Sequence, residues 1–287
     1  MNATDSSDML ISVERLREHL GDSHWCIVDV RHDLFDTEAG IRAYTAGRIP
    51  GAVFAHIDTD LSGEKTGSNG RHPLPQRDDL VEEFRSWGID NTTQLVAYDA
   101  QGGQFAVRLW WLARWLGHER VALLDGGWPK WLSDTHLSST DPATNARGNF
   151  SAGRSLVRVV TVDEVMQSLG SAERTLLDAR TPERYRGEQE PIDPVAGHIP
   201  GALNRPWQSN LRTDQTFKSA AELRSEFESA LGQRVPAQIT HQCGSGVTAC
   251  HNVFAMELAG LRGSSLYGGS WSEWVADRSR PIATGSD

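Results

Sequence analysis

At 287 residues, with 38% hydrophobic and 23% charged side chains, the chain is long enough for two domains that each bury a core, and it holds no apolar run able to cross a bilayer. A net charge of −10 without a lysine or arginine cluster leaves no electrostatic footprint for nucleic acid, so an anionic substrate would need a local basic pocket. Three cysteines, Cys26, Cys243 and Cys250, are too few and odd in number for a disulfide framework, which points to a reducing compartment, by default the cytoplasm.

Residues 1–8 are polar and acidic, lack the basic start and apolar stretch of a signal peptide, and read as a disordered lead-in. Ser12 then caps an amphipathic segment, and Cys26 to Val30 reads as a short buried strand ending in Val28-Asp29-Val30-Arg31. Gly47-Arg48-Ile49-Pro50-Gly51-Ala52 forces a turn. A long polar stretch, Asp58 to Gln76, carries His72. A second strand, Leu95 to Tyr98, runs into Asp99. The segment with Trp110, Trp111 and Trp115 reads as packing rather than as a binding platform. A third strand, Val121 to Leu124, precedes Asp125-Gly126-Gly127-Trp128 and Trp131. Leu137 to Gly153 is rich in Ser, Thr, Asp, Asn and Gly without periodicity, as expected of a linker.

The second half runs through the same markers in the same order. Thr161 is the cap, Leu177-Asp178-Ala179-Arg180 the strand end, and Gly197-His198-Ile199-Pro200-Gly201-Ala202 the turn. Gln238 to Gln242 leads into Cys243, and Ser265 to Tyr267 into Gly268-Gly269-Ser270-Trp271 and Trp274. Such a repeat fixes the architecture. Short apolar strands alternating with helical stretches predict an α/β fold of two tandem domains, each a parallel sheet flanked by helices. The divisions expected are 9–137, a linker at 138–153, and 154–287.

A strand that ends in Cys243, followed by Gly244-Ser245-Gly246-Val247-Thr248 and a helix, places the sulfur at a helix N-terminus. Backbone N–H groups and the helix dipole there favour a thiolate, and the two glycines let the loop curl into a cradle for an anion or a transferred sulfur. Cys26 in its strand and Cys250 on the following helix read as structural. Cysteine phosphatases share this layout but need an arginine six positions after the nucleophile, where this chain has Ala249. The repeat also sorts scaffold from site. Arg31 and Arg180 are twins, as are Arg48 and His198, and all four read as architectural, whereas Arg184 aligns with Phe35 and is unique to the second half. Ser245, two residues after the nucleophile, suits either a helix cap or a proton relay.

Taken together, the Asp-x-Arg strand ends, the Gly-His-Ile-Pro-Gly-Ala turn, the Cys-Gly-Ser-Gly-Val-Thr loop and the Gly-Gly tail resemble the tandem-domain rhodaneses over most of the chain. The resemblance implies that only the second domain is active, with Asp99 standing where the first would carry a nucleophile. It further implies that Cys243 takes sulfur from a small anionic donor as a persulfide and hands it to cyanide or to a thiol, such as thioredoxin or a low-molecular-weight thiol. No metal and no cofactor are implied. The loop resembles the mercaptopyruvate branch, with thiosulfate the alternative donor. By that resemblance Asp58 and His72 act with Ser245 in proton transfer, and Arg184 binds the donor beside Gly244, Gly246, Val247 and Thr248. A second donor-binding arginine of that branch falls at Ile192 here, and Arg186 is the candidate substitute. A non-catalytic persulfide carrier or redox module is the rival reading.

Overall fold

Ser12 and Thr161 are read as helix caps and open corresponding helices in a computed structural model of the chain, which describes residues 9–171 and 173–286. The lead-in expected over 1–8 lies outside the described residues. Two compact units are present. The first comprises the residues up to Gly63, Pro75–Leu156 and Arg212–Phe217; the second comprises Glu64–Leu74, Val157–Leu211 and the residues from Lys218 on. Each unit thus includes one short segment from the other half of the sequence, and His72 belongs to the second unit.

In the first unit β1 (Leu10–Ile11), β2 (Trp25–Asp29), β3 (Val53–Phe54), β4 (Gln94–Tyr98) and β5 (Val121–Leu124) form a parallel sheet in the order β1-β5-β4-β2-β3. The helices are α1 (Val13–Glu18), α2 (Ala39–Ala46), α3 (Arg77–Ser86), α4 (Ala106–Trp115) and α5 (Gly127–Thr135). The second unit repeats the plan. Its strands β6 (Arg158–Val160), β7 (Thr175–Asp178), β8 (Leu203–Asn204), β9 (Ile239–Gln242) and β10 (Ser265–Tyr267) pair in parallel in the order β6-β10-β9-β7-β8. Its helices are α6 (Val162–Gln167), α7 (Pro182–Tyr185), α8 (Ala220–Leu231), α9 (Ala249–Leu258) and α10 (Ser270–Trp274). In both units the central strands are buried along almost their whole length, because helices cover both faces of a parallel sheet. No helix among the described residues is long and apolar enough to cross a membrane.

The twin arginines hold the same joint in each unit. Arg31 pairs with Asp29 at 2.6 Å and donates to the Gly47 carbonyl at 2.7 Å, with its guanidinium 4.7 Å over the Trp128 ring. Arg180 pairs with Asp178 at 2.7 Å, donates to the Gly197 carbonyl at 2.7 Å, and lies 4.9 Å over Trp271. A buried guanidinium is tolerable only when its donors are satisfied in this way. At the neighbouring turn, Arg48 exchanges backbone hydrogen bonds with Ser139, and His198 does so with Ala283. The segment 138–153 therefore lies along the first unit. Phe150 is buried, and the backbone N–H groups of Gly148, Phe150 and Gly153 donate to the carbonyls of Arg85, Ile89 and Leu116. Trp110 and Trp111 are fully buried on α4.

Thr161 and Glu164 close a reciprocal capping box on α6: Thr161 Oγ1 accepts the Glu164 N–H at 3.3 Å, and Glu164 accepts the Thr161 N–H at 2.8 Å. Thr161→Ala is expected to destabilise the second unit by about 1 kcal/mol, measured as a lower urea midpoint for that unit's transition at unchanged slope. An unmoved midpoint would show that the box contributes only locally.

Candidate active site

β9 delivers Cys243 at its C-terminal end, where the chain leaves the sheet and must turn into α9. The turn is made by Gly246, at φ +80°, where a Cβ would fall 2.0 Å from the Gly268 carbonyl oxygen. Only glycine fits. The Gly246 N–H points back to Cys243 Sγ at 3.2 Å, and the Cys250 thiol donates to the Gly246 carbonyl at 3.3 Å. Cys243 is 1% exposed, and Val247 is also buried, while Thr248 stands at the first position before α9 without a side-chain capping bond. The loop is clamped from the start of α10: the N–H groups of Trp271 and Ser272 donate to the carbonyls of Cys243 and Gly244 at 3.0 and 2.9 Å.

The corresponding loop of the first unit shows what this cradle does to an anion. The Asp99 carboxylate, fully buried, accepts the backbone N–H groups of Gln101, Gly103, Phe105 and Ala106 at 2.7–3.0 Å. Burial pushes its pKa up, against the opposing pull of those four donors. The loop between strand and helix is thus built to surround negative charge with N–H groups, and the second unit places a sulfur at the head of the same loop.

Ser245 Oγ and His72 Nδ1 share a buried hydrogen bond of 2.7 Å. His72 arrives on the segment Gly70-Arg71-His72, which is tied to α10 because the Arg71 N–H donates to Ser272 Oγ at 3.1 Å. Arg71 itself stands over the loop. A Cβ added at Gly244 would fall 2.9 Å from an Arg71 guanidinium nitrogen and 3.5 Å from both terminal nitrogens of Arg184. Arg184 is fixed by Glu190 at 2.7 Å and Asp193 at 3.2 Å, and Asp193 also pairs with Arg71. Glu190 in turn accepts from Arg180 at 3.4 Å and from the N–H groups of Ile192 and Asp193.

Arg186 pairs with Glu188 at 2.7 Å and lies 3.9 Å from Glu183. Asp58 belongs to the first unit, where its carboxylate is 3.9 Å from His32 Nε2 and its N–H donates to His56 Nδ1 at 3.0 Å. His32, His56 and Asp58 are a group among the described residues whose ligand-type atoms all lie within 4.8 Å of one another. His56 accepts at Nδ1 and donates from Nε2 to the Thr37 carbonyl at 3.0 Å, so its ring has no lone pair to offer a metal in this arrangement.

Arg71, Glu190, Asp193 and Ser270 are site residues that pattern reading passed over. Ser270 is fully buried at φ +54°, a left-handed conformation that is costly for a non-glycine residue. Its hydroxyl accepts the Cys243 N–H at 3.1 Å and donates to the Tyr267 carbonyl at 2.9 Å. In the first unit Trp128 donates to the Asp99 carbonyl as Trp271 does to Cys243, so Gly127, at φ +57°, is the counterpart of Ser270. A serine standing where the repeat has glycine at a left-handed position was the available signal.

The family model for the rhodanese-like domain matches residues 12–134 and 161–277. The chain is 42% identical over 283 residues to a protein of Pseudomonas aeruginosa named "Probable 3-mercaptopyruvate sulfurtransferase", covering 98% of this chain and 99% of that one. It is 35% identical over 245 residues to the thiosulfate sulfurtransferase of Bos taurus, covering 83% and 80%. Among solved structures it resembles SseA of Escherichia coli, a 3-mercaptopyruvate sulfotransferase with the rhodanese fold, at a TM-score of 0.79 and 31% identity, over 92% of this chain and 98% of that one.

Ser270→Gly removes both the backbone strain and the hydroxyl that holds the Cys243 N–H. The variant is expected to be as stable as the wild type or more so, by up to about 1 kcal/mol, while reaction of Cys243 with a small electrophile slows several-fold because the loop loses its anchor. Thermal unfolding and the rate of Cys243 alkylation measure the two effects; unchanged alkylation would assign Ser270 to the scaffold alone.

Proposed function

The chain belongs to the rhodanese family of sulfurtransferases, and from that premise we propose that it takes sulfur from 3-mercaptopyruvate onto Cys243 and passes it to a thiol or to cyanide. Cys243 Sγ attacks the donor sulfur, the S–S bond forms as the C–S bond breaks, and the bonding pair passes to the carbon as an enolate. The proton released by the donor thiol reaches that carbon, giving pyruvate and a Cys243 persulfide. An acceptor thiolate or cyanide then attacks the outer sulfur and frees Cys243. Gly244, Gly246, Val247 and Thr248 form the loop around the sulfur, and Arg184, whose terminal nitrogens lie 3.5 Å from where a Gly244 Cβ would stand, is a cation for the donor carboxylate.

The single observation that carries the choice of donor is the 2.7 Å hydrogen bond between Ser245 and His72. A thiosulfate donor leaves as sulfite, a stable anion that needs no proton. A mercaptopyruvate donor leaves as a carbanion-like enolate, and a serine-histidine pair two residues from the nucleophile is what moves a proton to it. Asp58 remains the carboxylate assigned to this relay by resemblance. A low-molecular-weight thiol or a thioredoxin-type dithiol suits the acceptor role, and three free, buried cysteines accord with a reducing compartment such as the cytoplasm.

Steady-state assays with both donors test the reading. Cys243→Ser should abolish transfer from either donor; activity equal to wild type would end this reading and the persulfide with it. His72→Ala should lower kcat with 3-mercaptopyruvate about 100-fold or more but leave thiosulfate turnover within a few-fold. An equal loss with both donors would remove the argument for mercaptopyruvate. Single-turnover loading without multiple turnover on any small donor would favour the non-catalytic carrier.

A further inference from the structure

Arg184 leaves room for a second cation at the loop, yet Ile192 offers only its backbone N–H, to Glu190, and Arg186 is occupied by Glu188 and Glu183. We propose that Arg71 supplies the second donor-binding cation, and that Asp193 is the positioning residue which holds Arg71 and Arg184 so that one free edge of each faces the same spot above Gly244. The proposal rests on the sulfurtransferase reading for the identity of the donor, but not for the charge at the site.

Each guanidinium is only partly used. Arg184 spends Nε on Glu190 and Nη2 on Glu190 and Asp193, and Arg71 spends Nη1 on Asp193. Arg71 Nη2 and Arg184 Nη1 have no hydrogen-bond acceptor among the described residues, and these two atoms lie 2.9 and 3.5 Å from where a Gly244 Cβ would stand. An arginine has five N–H donors in a planar fork, and two forks aimed at one point bind a carboxylate with defined geometry. The spot is next to the nucleophile in sequence and in space. It is also accessible: the Arg71 and Arg184 side chains are 28% and 17% exposed, whereas Asp193 beneath them is 3% exposed. Burial pushes the Asp193 pKa up, with Arg71 the largest opposing influence. Gly244 fits the same account, since any side chain there would occupy the place of the anion.

Alkylation of Cys243 by iodoacetate and by its neutral analogue iodoacetamide, quantified by mass spectrometry of the Cys243 peptide, reads the charge at this spot without a sulfur donor. Wild type should react faster with iodoacetate relative to iodoacetamide than a free thiol does. Arg71→Ala should slow iodoacetate about tenfold and leave iodoacetamide within about twofold, and it should raise the KM for 3-mercaptopyruvate by more than it lowers kcat. Arg71→Lys keeps the charge that pairs with Asp193 and should recover part of the iodoacetate preference, which keeps the test decisive if the alanine variant fails to fold. Gly244→Ala should likewise lower the iodoacetate preference. Equal slowing of both reagents in Arg71→Ala and Arg71→Lys, or no slowing of either, would overturn the assignment. A wild type that prefers iodoacetate yet turns over neither sulfur donor would overturn the proposed function and leave Arg71 as an anion-binding residue.

Discussion

A chain of alternating charges, Asp178–Arg180–Glu190–Arg184–Asp193–Arg71, runs from the end of β7 to the cysteine loop, and the arrangement of the candidate site in the second unit depends on it. The buried members, Asp178, Arg180, Glu190 and Asp193, are tolerable only because each has an opposite neighbour and its remaining donors or acceptors are satisfied. The alternation supplies the neighbours, while the Gly197 carbonyl and the N–H groups of Ile192 and Asp193 take up the remainder. The first unit has the root of the same chain in Asp29–Arg31, but there it stops: Phe35 stands where Arg184 would be and is exposed. One structural ion pair, needed in both units to join a strand end to a turn, has been extended in one of them through Glu190, Arg184, Asp193 and Arg71 as far as the cysteine loop.

The two loops at the ends of β4 and β9 make a similar comparison. Asp99 fills its cradle with its own carboxylate, so four N–H groups are satisfied internally and nothing remains to bind. Cys243 receives one N–H on sulfur and leaves the loop free for an incoming group. The price is paid in backbone geometry, since Ser270 adopts a conformation that Gly127 adopts without strain. A strained serine is kept where its hydroxyl can hold the N–H of the nucleophile, which is the usual trade between stability and a precisely placed reactive group.

The fold was readable from the sequence because it is local and said twice: capping residues, strand ends and Pro-Gly turns recur in one order, and the sheets follow from the alternation. The strand-loop-helix setting of Cys243 was readable because an apolar strand running into a glycine-flanked cysteine marks the turn into a helix. The place of Arg71 was not, because it sits in a polar stretch with no periodicity, and it reaches the cysteine loop only because the chain returns Glu64–Leu74 to the second unit. The His72–Ser245 bond spans 173 residues and leaves no trace in local pattern. Asp193 and Glu190 were passed over for a related reason. A carboxylate that neutralises a binding arginine looks, in sequence, like any acidic loop residue. The buried set around Asn210, which donates to His251 at 3.0 Å and Asn252 at 2.8 Å, is equally invisible, since about forty residues of sequence separate the partners.

The division of labour at the site follows from what changes during the reaction. If 3-mercaptopyruvate is the donor, its carboxylate is present unchanged in pyruvate, so any contact that Arg71 and Arg184 make with it strengthens substrate and product binding alike and cannot by itself accelerate the chemistry. A strongly positive site would therefore retain its product. The alternating chain avoids this: its three guanidiniums are matched by three carboxylates, so under the proposed donor binding the two directed N–H edges, and not a large net charge, set the recognition. In the proposed reaction the groups that act on the atoms that do change are elsewhere, in the sulfur of Cys243, the N–H of Gly246 and the Ser245–His72 pair. On the proposed mechanism binding and chemistry thus fall to separate residues that meet at Gly244, where a Cβ would stand 2.9 Å from Arg71 and 3.5 Å from Arg184.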